Sequence, residues 1–112
     1  MPCLCITTNV CLDGTDINPI FSEATKIVSQ IIGKPEKFVM VILKGSVKIS
    51  FEGNKEPAAY AEVISMGGIN SVVKRKLIDQ LGELLQKKLS IPRTRFFLKV
   101  YDTTAGRTTS KM

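Results

Sequence analysis

The sequence predicts an α+β fold in which two strand-helix-strand repeats form one four-stranded mixed sheet with both helices on the same face. Three observations carry that prediction. Residues 20–32 and 73–89 each place apolar side chains at helical spacing. Short apolar runs flank both stretches. Pro35 and Pro92 hold equivalent places, each just past a helix and four residues before Val39 and Phe96, so the second half of the chain repeats the first. Right-handed crossovers then put both helices on one face of the sheet.

Each element has its own signal. Residues 2–8 carry no charge and read as the first strand, with Cys3 and Cys5 on a shared face; residues 9–16, with Asp13-Gly14, read as a loop. Asn18 is placed to cap the first helix, with Pro19 at its first position. Ile20, Phe21, Ala24, Ile27, Val28, Ile31 and Ile32 make its stripe, Gly33 ends it and Pro35 lies just beyond. Residues 38–43 are an unbroken apolar run, the pattern of a strand buried on both faces. Val47, Ile49 and Phe51 alternate with polar residues, predicting a short half-exposed strand before a turn around Gly53-Asn54. Residues 60–66 form another strand, closed by Gly67-Gly68. Asn70 then caps a second helix whose apolar face is Val73, Leu77, Leu81, Leu84, Leu85 and Leu89. Residues 95–101 are the last strand, which leaves 1–102 as the folded domain and 103–112 as a polar tail. The run at 38–43 needs cover on both faces, and the helices of one chain cover only one. Copies of the same subunit are the simplest cover for the other.

With 112 residues, 44% of them hydrophobic and 23% charged, the chain is one globular domain. Its formal charge of +6 does not point to nucleic acid: only residues 74–76 and 87–88 cluster, outside the helical stripe, and no aromatics interleave with them. Cys3, Cys5 and Cys11 are odd in number and bunched at one end, which argues against a disulfide framework. With no histidine, they also fall short of a four-ligand zinc site. No metal or other cofactor is expected. No apolar run approaches the ~18 residues of a membrane span, and the first charge, Asp13, arrives without a basic leader region. Neither membrane insertion nor a secretory leader is expected.

Chemistry without histidine remains possible at the start of the chain. Loss of Met1 would make Pro2 an N-terminal secondary amine, and an α-amino group titrates near ~8. Desolvation or a nearby cation lowers such a value into the range of a general base at neutral pH. The bland reading of the same residues is that Pro2 opens an edge strand, where its missing N–H costs no ladder bond.

A family resemblance bears on that choice. The Met1-Pro2 start, Thr8-Asn9 at the end of the first strand, Gly33-Lys34-Pro35, Glu56-Pro57-Ala58 and Ser65-Met66-Gly67 stand in a specific order. Residues 95–102, Arg-Phe-Phe-Leu-Lys-Val-Tyr-Asp, complete the series. From Pro2 to about Asp102 the chain resembles the macrophage migration inhibitory factor and D-dopachrome tautomerase family, especially its plant members. The resemblance implies a homotrimer of strand-helix-strand repeats whose sheets enclose a central barrel. It also implies an isomerase: keto-enol tautomerisation of small aromatic α-keto acids such as phenylpyruvate, or of dopachrome-like compounds, with Pro2 as general base. Lys34 matches the family's pocket lysine, which would depress the Pro2 pKa and hold the substrate carboxylate. Lowering that pKa by one or two pH units corresponds to roughly 1.4 to 2.7 kcal/mol. The backbone amide at Met66 matches a substrate-binding position and Phe38 an aromatic wall; on pattern alone both read as core.

The chain departs from the family at informative places. Phe97 stands where animal members carry tyrosine, Lys99 where they carry asparagine, and the tail lacks a glycine-tryptophan stretch. Ala58 and Ala61 occupy the places of the Cys-x-x-Cys pair of the founding animal protein, which excludes thiol exchange by that motif. The altered pocket favours an alternative on the same scaffold, a non-catalytic, cytokine-like signalling or binding protein. At the other terminus, Ser110, Lys111 and Met112 resemble the Ser-Lys-Leu address read by the peroxisomal import receptor. The expected location is therefore the peroxisome, with the cytoplasm as alternative.

Overall fold

The computed structural model describes residues 1–104. The chain runs β1 (Cys3–Thr8), α1 (Asn18–Ile32), β2 (Met40–Lys44), β3 (Ala59–Ser65), α2 (Ser71–Leu89) and β4 (Phe96–Asp102), with 3₁₀ turns at Glu36–Phe38 and Arg93–Arg95. The sheet order is β2-β1-β3-β4. Strands β1 and β2 pair in parallel, as do β3 and β4, and β1 meets β3 antiparallel. This is the mixed sheet of two repeats that the sequence predicts. Alternation along the strands turns Leu4 and Ile6, Val41 and Leu43, Ala61 and Val63, and Leu98 and Val100 toward the helices. Against them pack Ile20, Ala24, Val28 and Ile32 of α1 and Leu77, Leu81, Leu84 and Leu85 of α2. Each fully buried Leu, Ile or Val among them contributes roughly 1.5 to 3 kcal/mol before entropy is counted.

The helices run antiparallel, as the Lys88 Nζ to Glu23 Oε2 contact of 3.9 Å between the end of α2 and the start of α1 records. Gly33 closes α1 at φ 83°, in the left-handed region that glycine enters without a Cβ clash. Asn70 caps α2 as predicted, its side-chain oxygen accepting from the Val73 N–H at 2.9 Å. Asn18 does not cap α1. Ile17 holds that position, Asn18 is already helical, and its N–H donates to Asp16 Oδ1 at 3.1 Å. A carboxylate two residues upstream forms the local turn itself, so the asparagine is not needed as a cap.

Three other expectations are corrected. Phe38 is not in the strand: it ends the 3₁₀ turn, 43% exposed, with Lys37 Nζ 5.2 Å from its ring centre. Within one chain β2 is an edge strand covered on one face only, leaving Met40 54% exposed. Val47 and Ile49 are half-buried between exposed neighbours, but Phe51 is exposed like Ser50 and Glu52, and the segment forms no strand. Only a bridge between Phe51 and Asn54 closes the turn at Glu52-Gly53, where both residues have positive φ. Arg95 is not the first residue of the last strand. It ends the second 3₁₀ turn, 7% exposed, and its guanidinium donates to the carbonyls of Pro57, Phe51 and Glu56, each at 3.0 Å. Thr8 and Asn9 hold the same loop: Thr8 Oγ1 donates to the Ala58 carbonyl, and Asn9 Nδ2 to those of Lys55 and Glu56.

Candidate active site

Pro2 immediately precedes β1, and its buried ring lies at the end of the sheet where several connections converge. Its carbonyl accepts the N–H of Met40 at 3.0 Å, joining it to the start of β2. The pairing of Cys3 with Ile64 brings the end of β3 alongside as well. There the Gly67-Gly68 turn meets the last turn of α1: a Cβ on Gly68 would lie 3.0 Å from the Ile32 carbonyl oxygen, and its φ is 76°. Both facts call for glycine. Lys34 follows two residues after Ile32, its carbonyl accepting from Ser29 Oγ at 2.6 Å, so its backbone is fixed to the helix end. Met66, 59% exposed, and Phe38 belong to the same end of the molecule, and neither is core.

Asp102 braces this end. Its Oδ1 accepts from Thr104 Oγ1 at 2.6 Å, from the Thr104 N–H at 3.0 Å and from the Gly67 N–H at 3.1 Å. These bonds, that of the Thr104 hydroxyl foremost, hold its carboxyl below the usual carboxylate range. The first residues of the tail are thus tied back to the turn beside Pro2.

Phe97 and Lys99 are placed differently. They lie on the sheet face away from the helices, where Phe97 pairs with Tyr60 and Lys99 with Glu62. Tyr60 in turn pairs with Thr7, at the opposite end of β1 from Pro2. One chain therefore gathers Pro2, Lys34, Phe38 and Met66 at one end of the sheet but leaves Phe97, 61% exposed, at the other. Beside Phe97 stands a pair that the sequence reading missed. Tyr60 stacks on Phe97 with ring centres 5.9 Å apart, and its hydroxyl donates to Glu62 Oε2 at 2.7 Å. Burial, and then this bond, push the Tyr60 phenol up to about 12. Glu62, Ile64, Lys99 and Tyr101 line a cavity of about 170 Å³ on this face. The spacing of residues 60, 62 and 64 in a strand was the available signal. Cys3 and Cys5 share the face, and burial, then Cys5 and Glu62, raise the Cys3 thiol. All three cysteines are free thiols. Ser110, Lys111 and Met112 lie outside the described residues.

The family model described as macrophage migration inhibitory factor matches residues 1–111. The chain belongs to the macrophage migration inhibitory factor family. A homolog from Trichinella spiralis is 33% identical over 99 residues, covering 88% of this chain and 85% of the relative. The Xenopus laevis macrophage migration inhibitory factor is 30% identical over 106 residues, covering 95% and 91%. Among solved structures, the Prochlorococcus marinus homologue superposes with a TM-score of 0.85 at 29% identity, over 89% of this chain and 87% of that one. The mixed sheet with two helices is thus the fold of this family. Among the described residues no helix is long and apolar enough to cross a membrane.

Proposed function

We propose that the protein is a keto-enol tautomerase acting on small aromatic α-keto acids such as phenylpyruvate, or on dopachrome-like compounds, with Pro2 as general base. The observation that carries this reading is the convergence at Pro2 of the α1 end with Lys34 and the glycine turn after β3. Loss of Met1 would turn Pro2 into a free secondary amine beside an apolar core, with the Lys34 ammonium available for the substrate carboxylate. Such an amine takes the α-proton of the keto acid and a proton is returned to the enolate oxygen; in the reverse direction the enol O–H proton is taken and a proton is returned to carbon, with no cofactor in the cycle. The plant-type placement within the family is part of the same reading and is carried by the sequence resemblance.

The reading includes a homotrimer. Two features of the lone chain support it: the helix-free face presents Met40, Ile42 and Phe97 to solvent, and the alternating segment around Val47 and Ile49, held to β1 by the single Val47 N–H to Thr8 carbonyl bond, forms no strand among the described residues. Copies around a threefold axis would cover that face and pair that segment. They would also bring Phe97 and Lys99 of one copy toward Pro2 of another, which a single sheet keeps apart. The reading also places the protein in the peroxisome through Ser110, Lys111 and Met112.

Tautomerisation of phenylpyruvate should require the free Pro2 amine. The wild type, Pro2→Gly and a chain extended by one N-terminal residue are compared, with removal of Met1 checked by mass spectrometry. Both variants should lose at least 90% of the rate, because glycine leaves only a flexible primary amine and the extension carries the amine away from the site, and loss of a positioned general base commonly costs 10²-fold or more. Equal rates would exclude Pro2, and no activity in any of the three would favour the non-catalytic binding protein, for which Lys99 and the hydroxyl-free Phe97 speak.

A further inference from the structure

We propose that the Pro2 end of the molecule is an anion-collecting rim that selects ligands carrying two or more negative charges over singly charged ones. This deepens the tautomerase reading by naming its substrate class as multiply charged aromatic acids, and for the word substrate it rests on that reading. The anion preference itself is a binding property. It starts from topology. β1 begins here and its parallel partner β2 begins beside it, so the connection after α1 delivers Lys34 and Lys37 to this end. β3 ends here, so α2 starts here and its first turns bring Lys74, Arg75 and Lys76. The Lys88 to Glu23 contact fixes the opposite ends of the two helices at the far side.

None of these five cations makes an ion pair among the described residues. The ion pairs join Lys88 to Glu23, Arg93 to Asp79 and Arg95 to Glu52, and none includes a residue of the rim. The acids at this end are Glu36 and Asp102, and Asp102 is already engaged by Gly67 and Thr104. At the far end, by contrast, stand Asp13, Asp16, Glu23, Glu52 and Glu56, of which Glu23 pairs with Lys88 and Glu52 with Arg95.

The α2 cations also stand where a helix start does not favour them. A helix start carries positive partial charge and favours acids, yet the first turn of α2 has none and the next residues are Lys74-Arg75-Lys76. This arrangement destabilises the helix by itself. It adds the helix field to the field of the five side chains, and an anion at the rim is what gains from both. One carboxylate is met by Lys34 alone. The energy of a ligand in the remaining field scales with its charge, so a dianion gains about twice what a monoanion does.

The test titrates benzoate and benzene-1,3-dicarboxylate into the full chain by calorimetry. Ionic strengths of about 0.01 M and about 1 M are compared, between which the Debye length falls from about 30 Å to about 3 Å. The dicarboxylate should bind about tenfold tighter than benzoate at low salt. That ratio should fall toward one at high salt and in the variant Lys74→Glu/Arg75→Glu/Lys76→Glu. The neutral variant Lys74→Gln/Arg75→Gln/Lys76→Gln should lie between, and decides the matter if charge reversal unfolds the helix. A ratio near one in the wild type, or a ratio unchanged by salt and by both variants, would overturn the rim. Turnover of phenylpyruvate and of its ring-carboxylated analogue is measured in parallel. Turnover with a flat binding ratio sinks the rim alone, whereas a salt-sensitive ratio without turnover supports the rim and sinks the tautomerase reading.

Discussion

Tyr60 shows what a single side chain adds on the helix-free face. It joins an aromatic contact with Phe97 to a hydrogen bond with Glu62, so the ring that lacks a hydroxyl has a phenol beside it. Because the Tyr60 phenol is raised from 10.0 to about 12, the folded state holds its proton where the unfolded chain would release it. The stability this contributes is complete below about pH 10 and is lost as pH rises from about 10 to about 12. Absorbance titration should therefore show a phenol near 12 in the wild type that is missing in Tyr60→Phe. Denaturant midpoints should fall more steeply across that window in the wild type. A wild-type titration complete by pH 11 would contradict the bond to Glu62. The sequence left this pair unseen, because alternation in a strand tells which residues share a face but not which of them touch.

At the scale of elements, both helices could be read from the sequence because their stripes match the buried sets. The caps could be read where one residue decides, as at Gly33 and Asn70. Reading failed where the deciding partner is far along the chain. Arg95 looked like the start of a strand, yet it is held by carbonyls some forty residues away, at Phe51, Glu56 and Pro57. The segment around Val47 and Ile49 has the alternation of a strand but, beyond the Val47 N–H bond to the Thr8 carbonyl, no ladder among the described residues. Thr8-Asn9, Glu56-Pro57-Ala58 and Arg95, prominent in the family resemblance, therefore build a clamp on one loop and do not line the Pro2 end. Arg95→Met should cost about 3 kcal/mol, because three carbonyls lose a charged donor. Arg95→Lys should recover little of it, since an ammonium cannot reproduce the planar fork. Chemical denaturation checks both, and a cost below about 1 kcal/mol for Arg95→Met would show that the loop holds without the clamp.

At the scale of the whole molecule, the apolar run at 38–43 anticipated a face that one chain leaves open, and Met40 and Ile42 are exposed on it. The candidate site was only half readable for the same reason. Pro2, Lys34, Phe38 and Met66 fall together, whereas Phe97 and Lys99 do not join them in one chain. Location is a separate property of the molecule. A fluorescent protein fused to the N-terminus, leaving Met112 free, should give punctate signal overlapping a peroxisomal marker in plant cells. Deletion of residues 110–112 should make it diffuse, and diffuse signal from the intact chain would rule out import by this terminus.

A trimer whose pocket takes Pro2 from one copy and Phe97 from another can be tested by subunit mixing. Pro2→Gly replaces the rigid secondary-amine base with a flexible primary amine, and Phe97→Glu sets a carboxylate against the keto acid from the other side of the pocket. Each variant alone should be trimeric by light scattering and nearly inactive toward phenylpyruvate. Refolded together in equal amounts, they should regain about a quarter of the wild-type rate, because random assembly pairs an intact Pro2 with an intact Phe97 at about one site in four. Mixed trimers that form, as mass spectrometry would show, and yet stay as inactive as their parents would contradict a pocket shared between copies.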